Sequence, residues 1–191
     1  HRLVRAAYFA MCDLIDDQVG RILDSLRATR QLENTIVIFM SDHGELLGDH
    51  GIYLKGPYFY EPSVHVPLAI SWPGHIPARR IDGLVELMDI APTLLEAAGV
   101  EVWPGMQGKS LWPLLTSDAD QTGAEDVYCE YYNAMPWHRH PHVPFGTMLR
   151  TKDMKLVLSH GDRAGELYDL VADPEERVNL WDDPTWLAQK A

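Results

Sequence analysis

The chain of 191 residues is 46% hydrophobic and 23% charged, a balance typical of a globular protein with a sizeable core. Its net charge of −12 argues against a nucleic-acid backbone as the main partner, because such binding depends on Lys and Arg contacts to phosphates. Cys12 and Cys129 form neither a disulfide framework nor a CxxC metal pair, and they fit a cytosolic or a periplasmic protein. Without a run of about 18 apolar residues, no membrane span is predicted.

The N-terminal part predicts one helix followed by one strand. Apolar residues recur at steps of three and four through residues 2–30, which predicts an amphipathic helix: Val4, Tyr8, Met11, Ile15, Val19, Ile22 and Leu26. After a short turn, residues 35–40 form a continuous β-branched and aromatic run, typical of a parallel strand buried on both faces. Together these segments predict an αβ unit and a mostly parallel sheet covered by helices.

A glycine-rich loop with metal-capable side chains follows this strand. Asp42 and His43 come just after it, at the strand end where open α/β sheets commonly bind their ligands. Lys55 follows twelve residues beyond His43. Two consecutive side chains can both reach one ion if the backbone leaves the sheet at that point. Asp42 can also simply cap a helix or a turn, so the dipeptide alone leaves both interpretations open.

The middle of the chain predicts a second buried strand at residues 68–72 and then a helix. Pro92 is tolerated in a first helical turn, and Gly99 is a favoured residue just after a helix end. We therefore interpret Asp89 as a cap rather than a metal ligand. Residues 100–125 have the composition of loops, which predicts a boundary between one domain at 1–125 and a second at 126–191.

Residues 126–191 have the pattern of a small antiparallel sheet. The pattern predicts a strand at 127–132, a hairpin over 147–158 that turns at Lys152-Asp153, and a further strand near 166–170. The loop at 133–145 contains three alternating histidines: His138, His140 and His142. Metal capture, a specificity loop and a plain solvent-exposed loop all stay open for them.

Several segments together resemble one known family. They are residues 16–23, residues 34–51 with Lys55, residues 60–68 with Trp72-Pro73-Gly74, and residues 88–99, 107–111, 166–170, 173–176 and 179–180. In amino-acid sequence and in order, they resemble the C-terminal portion of a sulfatase of the alkaline phosphatase superfamily. The resemblance extends over nearly the whole chain. The resemblance implies an α/β fold, namely the C-terminal part of an alkaline-phosphatase-like α/β sandwich followed by a small antiparallel subdomain.

The resemblance also implies roles for three residues. Asp42 and His43 match two protein ligands of the family's metal ion, and Lys55 matches the lysine that contacts sulfate oxygens during catalysis. It implies a divalent cofactor, calcium in the first place. Manganese is the alternative, because the imidazole of His43 suits manganese, zinc or iron better than calcium.

Part of the family's active site has no match in the chain. The family's nucleophile is a formylglycine made from the first residue of a Cys/Ser-x-Pro-x-Arg motif. Neither Cys12, Cys129 nor any serine opens such a motif, and the family's paired N-terminal aspartates are absent too. We therefore expect a piece of a longer enzyme, without turnover on its own.

Three functions are compatible with the sequence. The first is part of a metal-dependent sulfuric ester hydrolase that acts on a small-molecule sulfate ester. The second is a phosphonate or phosphate ester hydrolase of the same superfamily, and the third is a non-catalytic module derived from a sulfatase. Because strand edges would lack neighbours in such a piece, we also expect a homo-oligomer.

Overall fold

The computed structural model describes residues 1–117, 123–132, 145–161 and 165–190, which fall into two compact units. The first unit, His1–Gly56 with Pro62–Arg80, holds the candidate site residues. The second unit is Pro57–Glu61 with Ile81–Ala191. Our predicted boundary near residue 125 stays a prediction. No helix in the described ranges combines the length and apolar character that crossing a bilayer requires.

The first unit begins with the predicted long helix, α1 (Arg2–Ala28), which ends within two residues of its predicted end. The chain leaves it at Thr29, whose N–H donates to the carbonyl of Ser25 at 3.0 Å, and at Arg30, which has a φ of 57°. None of the residues of α1 is buried. The apolar stripe that its sequence encodes is therefore largely exposed in this chain, with Val4, Met11, Ile15 and Ile22 among the exposed side chains.

The two strands of the first unit correct one prediction. β1 (Val37–Met40) and β2 (Leu68–Ser71) pair antiparallel, with Val37 opposite Ser71 and Met40 opposite Leu68. The parallel arrangement that we expected is wrong for this pair. Parallel neighbours usually need a crossover helix, and the chain between the strands holds only loop, one 3₁₀ turn (Asp49–Gly51) and the single-turn helix α2 (Glu61–Val64). Phe39 and Met40 are exposed, so β1 is also not buried on both faces.

The second unit contains the predicted antiparallel sheet. Its strands follow the order β3-β4-β5-β6 and all pair antiparallel: β3 (Asp126–Tyr131), β4 (Phe145–Thr151), β5 (Met154–His160) and β6 (Gly165–Asp169). The hairpin turns at residues 152–153, as predicted. One face is buried through Met148, Val157 and Tyr168.

Two short α-helices and two 3₁₀ segments complete the described part of the second unit. A 3₁₀ turn (Leu87–Asp89) leads into α3 (Ile90–Ala97), which ends before Gly99 in the left-handed conformation at φ 69°. α4 (Trp112–Thr116) follows, and the tail forms a 3₁₀ segment (Pro184–Lys190). The helix signals at Asp89 and Gly99 therefore fall at the ends of a real helix.

A buried ion cluster, made of Glu61, Arg150, Lys155 and Glu176, lies inside the second unit. The Lys155 side chain is 0% exposed, and its Nζ lies 2.8 Å from Glu61 Oε1 and 2.6 Å from Glu176 Oε1. Nζ also donates to the carbonyl of Phe59 at 2.8 Å, and Arg150 Nε binds Glu61 Oε1 at 2.9 Å. Two cations and two carboxylates therefore neutralise one another in the interior, where an uncompensated charge is costly.

The charges of the cluster decide the ionisation of Glu61. Burial alone would raise the pKa of the Glu61 carboxyl, but the hydrogen bonds and charges of Arg150 and Lys155 outweigh it and lower that pKa. Glu61 is therefore ionised in the folded protein at neutral pH.

Candidate functional site

The candidate site lies on residues 41–55, which we call the site loop. It starts where β1 ends, and its first turn is pinned by Gly44, whose N–H donates to the carbonyl of Ser63 at 2.8 Å. A Cβ at residue 44 would stand 1.8 Å from the carbonyl oxygen of Pro62. Only glycine permits this close approach of two backbone segments. The glycine after Asp42-His43 is thus required by sterics, and its φ is not in the left-handed region.

Asp42 and His43 are brought together with their side chains facing each other. Asp42 Oδ1 accepts the backbone N–H of His43 at 2.9 Å, while Oδ2 lies 3.8 Å from His43 Nε2. The Asp42 side chain is 86% exposed and that of His43 47% exposed. A carboxylate oxygen and an imidazole nitrogen therefore converge at the surface of the first unit.

The hydrogen bond on the other ring nitrogen of His43 suits a metal ligand. Nδ1 lies 2.9 Å from the carbonyl oxygen of Gly44. A carbonyl only accepts hydrogen bonds, so Nδ1 carries the proton in this arrangement and the lone pair of Nε2 points away from it. Metal-binding histidines are commonly held by such a bond from the second nitrogen to a carbonyl or carboxylate. Metal bonds of about 2.0–2.2 Å to both groups can bridge the separation of Oδ2 and Nε2.

Among the described residues, no third such donor joins this pair. In residues 1–117 and the described ranges beyond them, no group of three or more His, Cys, Asp and Glu side chains is arranged to hold a metal ion. A structural metal site usually needs four ligands, so this pair fits part of a site. Lys55, half-buried, lies on the far arm of the same site loop.

Asp89, which we interpreted as a cap, and two further histidines, His50 and His65, are not part of this pair. The carboxylate of Asp89 accepts the N–H groups of Glu86 at 2.9 Å and Lys109 at 2.7 Å. Asp89 therefore braces the 3₁₀ turn before α3, and makes no side-chain bond to α3 itself. His50 lies in the 3₁₀ turn of the site loop with a φ of 52°, and His65 is exposed just before β2.

The alternating histidines His138, His140 and His142 lie outside the described residues. Their three interpretations all stay predictions.

The site loop contains two supporting side chains that the sequence did not single out. Glu45 Oε1 accepts the N–H groups of Leu47 at 3.1 Å and Leu54 at 2.6 Å. Arg5 of α1 donates from Nε to the carbonyl of Leu47 at 2.9 Å, and its Nη2 contacts Asp49 at 2.8 Å. A carboxylate inside a glycine-rich loop was the one available signal for Glu45, because loop N–H groups need acceptors. Nothing local in the sequence marked Arg5, which acts over a long chain separation.

Comparisons with known proteins agree on one family. The family model described as "N-sulphoglucosamine sulphohydrolase, C-terminal" matches residues 48–190. A choline-sulfatase from Rhizobium meliloti is 38% identical over 186 residues, covering 96% of this chain and 34% of that protein. The chain spans about a third of the length of the curated relatives that it matches.

Solved structures confirm the predicted fold class. A phosphonate monoester hydrolase of Agrobacterium radiobacter matches with a TM-score of 0.87 and 31% identity, covering 97% of this chain and 38% of that one. A protein solved with its substrate D-glucosamine-2-N,6-O-disulfate matches with a TM-score of 0.75 and 32% identity, covering 92% of this chain and 36% of that one. At identities of 32% and 31%, the two proteins resemble this chain in sequence as well as in fold.

Proposed function

Since the chain belongs to the sulfatase family, whose C-terminal region it matches, we propose that it is part of a metal-dependent sulfuric ester hydrolase. Asp42 and His43 supply two ligands to a divalent cation, and Lys55 binds the sulfate group. The facing arrangement of Asp42 Oδ2 and His43 Nε2, with Nδ1 on the Gly44 carbonyl, is the observation that carries the proposal.

The chemistry of sulfate esters explains why such groups are needed. Breaking the bond between sulfur and the ester oxygen leaves negative charge on the departing oxygen and on the nonbridging oxygens. A bound divalent cation supplies Lewis-acid stabilisation of that charge. The ammonium group of Lys55 adds a second, fixed positive charge beside the same oxygens. Calcium is the ion that the family implies, and manganese is the alternative that the nitrogen of His43 favours.

The chain cannot complete the reaction by itself in this proposal. None of its 191 residues opens a Cys/Ser-x-Pro-x-Arg motif, so the formylglycine nucleophile comes from sequence outside them. We expect the isolated chain to show no sulfatase turnover. Hydrolysis of an aryl sulfate by the pure 191-residue chain would contradict this.

The substrate class follows from the relatives. One structural neighbour was solved with a sulfated glucosamine as its substrate, and one relative is a choline-sulfatase. A small-molecule sulfate ester is therefore the substrate that we propose. The phosphonate monoester hydrolase among the neighbours supports a second candidate, a phosphonate or phosphate ester hydrolase.

The test uses the full-length gene product with two ester classes, an aryl sulfate and an aryl phosphonate. We expect sulfate hydrolysis that a chelator abolishes, and a fall in kcat/KM of about 10²–10³-fold in Asp42→Asn and in Lys55→Ala, as for loss of one charge-stabilising group. Lys152→Ala, at the exposed turn between β4 and β5, is the matched control and should be silent.

Each other outcome has a distinct meaning. A preference for the phosphonate supports the second candidate, and absence of both activities supports the non-catalytic module. Full activity in Asp42→Asn overturns the metal-ligand assignment. Elemental analysis of the purified protein then distinguishes calcium from manganese.

A further inference from the structure

If Lys55 acts on the same substrate as Asp42 and His43, the site loop must hold it at a fixed distance from that pair. Lys55 lies twelve positions beyond His43, and a loop of that length has many conformations to lose. We propose that Glu45 is the positioning residue that fixes Lys55 relative to Asp42 and His43. This inference rests on the proposed function, because it assigns Glu45 a task only if Lys55 binds the substrate's anionic group.

The two arms of the site loop, the near arm at 41–47 and the far arm at 52–55, meet at the carboxylate of Glu45. Its Oε1 accepts the N–H of Leu47 at 3.1 Å and the N–H of Leu54, the residue just before Lys55, at 2.6 Å. The arms are also joined by the N–H of Leu46, which donates to the carbonyl of Leu54 at 3.3 Å. One charged oxygen therefore closes the loop at the position adjacent to Lys55.

The far arm is also held at Tyr53, whose hydroxyl hydrogen-bonds to the ring of His1 and whose ring stacks on it, but Leu54 itself has little besides these backbone bonds. The side chain of Leu54 is 71% exposed, so apolar burial does not fix its place. Its φ of 64° lies in the left-handed region, which is unfavourable for a residue with a Cβ. A hydrogen bond to an ionised carboxylate is about twice as strong as one between neutral groups. The bond from Leu54 to Glu45 is thus suited to stabilise a strained conformation just before Lys55.

The near arm, in contrast, is anchored firmly. Gly44 is pinned by its bond to the Ser63 carbonyl and by its contact distance to Pro62. Leu46 is 0% exposed, so the residues on both sides of Glu45 are fixed. Glu45 stands between two fixed residues and follows His43 by two positions. Its carboxylate can therefore fix the backbone before Lys55 at a set distance from Asp42 and His43.

A double-mutant cycle in the full-length protein tests this inference. We expect Glu45→Ala to lower kcat/KM on an aryl sulfate by about 10²-fold, the cost of a small misplacement, with unchanged metal content. Glu45→Gln keeps an oxygen that can accept both N–H groups and should recover part of the loss. In a Lys55→Ala background, Glu45→Ala should add no further loss. Glu96→Ala, on the exposed side of α3, is the control for the change of charge.

Two results would overturn the inference. One is an effect of Glu45→Ala that persists undiminished in the Lys55→Ala background, since Glu45 would then act through the fold or the metal. The other is unchanged kcat/KM in Glu45→Ala while the wild type is active. If the wild type hydrolyses neither ester class, inorganic sulfate binding measured by calorimetry replaces turnover. Weaker sulfate binding in Glu45→Ala then supports the inference although the proposed function has failed, and equal binding overturns it.

Discussion

The site loop and the buried ion cluster use the same kinds of side chain in opposite ways. In the site loop, Asp42 is 86% exposed and its Oδ2 lies 3.8 Å from Nε2 of His43. In the cluster, Lys155 is 0% exposed and has three oxygen partners within 2.8 Å. The cluster is complete within its own unit, whereas the pair in the site loop has room for further ligands.

This difference separates buried charges that satisfy one another from exposed charges that a ligand can reach. Paired, buried charges cannot approach a substrate, and removing one leaves its partners uncompensated. Exposed charges contribute little to stability, and they are available for a metal ion or an anion. We therefore expect mutations in the cluster to change stability and mutations in the site loop to change activity.

The largest effect on stability is expected for Lys155→Met. This change leaves the carboxylates of Glu61 and Glu176 buried with less positive charge beside them, and it should cost about 3–5 kcal/mol of unfolding free energy. Denaturant unfolding of the full-length protein measures the loss. Lys152→Met, on the same hairpin but exposed, is the matched control and should change stability little. Equal stability of the two variants would show that the cluster does not hold the second unit.

Gly44→Ala is expected to change both stability and activity, because Gly44 shapes the site loop and also packs against the backbone of Pro62. The new methyl group would meet the Pro62 oxygen at 1.8 Å, so the backbone after His43 must shift. We expect a loss of about 1–3 kcal/mol in stability together with a loss of activity.

Gly20→Ala is the matched control for Gly44→Ala. Nothing lies within 4 Å of a Cβ at residue 20, and alanine favours the helix over glycine there. This variant should be slightly stabilised with activity intact. If Gly44→Ala behaved in the same way, the site loop would have to be more pliable than its contacts indicate.

The smallest effect is a pH dependence that belongs to the cluster. The pKa of Glu61 is lowered from its ordinary value of 4.5, so its stabilising contribution is fully present above pH 4.5. That contribution is lost as the pH falls from 4.5 through the lower pKa of the folded state. Melting temperatures recorded from pH 6 downward should therefore fall less steeply in Glu61→Gln than in the wild type. Glu175→Gln, at an exposed ion pair with Arg177, should follow the wild-type profile.

Most elements could be predicted because their signals are local. The apolar periodicity of α1, the Gly99 stop of α3 and the turn at Lys152-Asp153 each depend on neighbouring residues, and the structure has all three. The pairing of β1 with β2 could not be predicted in this way. An apolar run records that a strand prefers burial, and it carries no information on the direction of its neighbour.

For the candidate site too, some features depend on local sequence and others on contacts between separate segments. The sequence by itself determined the family and the residue types that can bind a metal ion and an anion, because these depend on side-chain chemistry and order along the chain. Only the tertiary structure decided that the Gly44 position excludes a Cβ, that Glu45 closes the site loop beside Lys55, and that Lys155 joins Glu61 and Glu176. Each of these depends on atoms brought together from separate segments, and their distances are set by how the backbone folds.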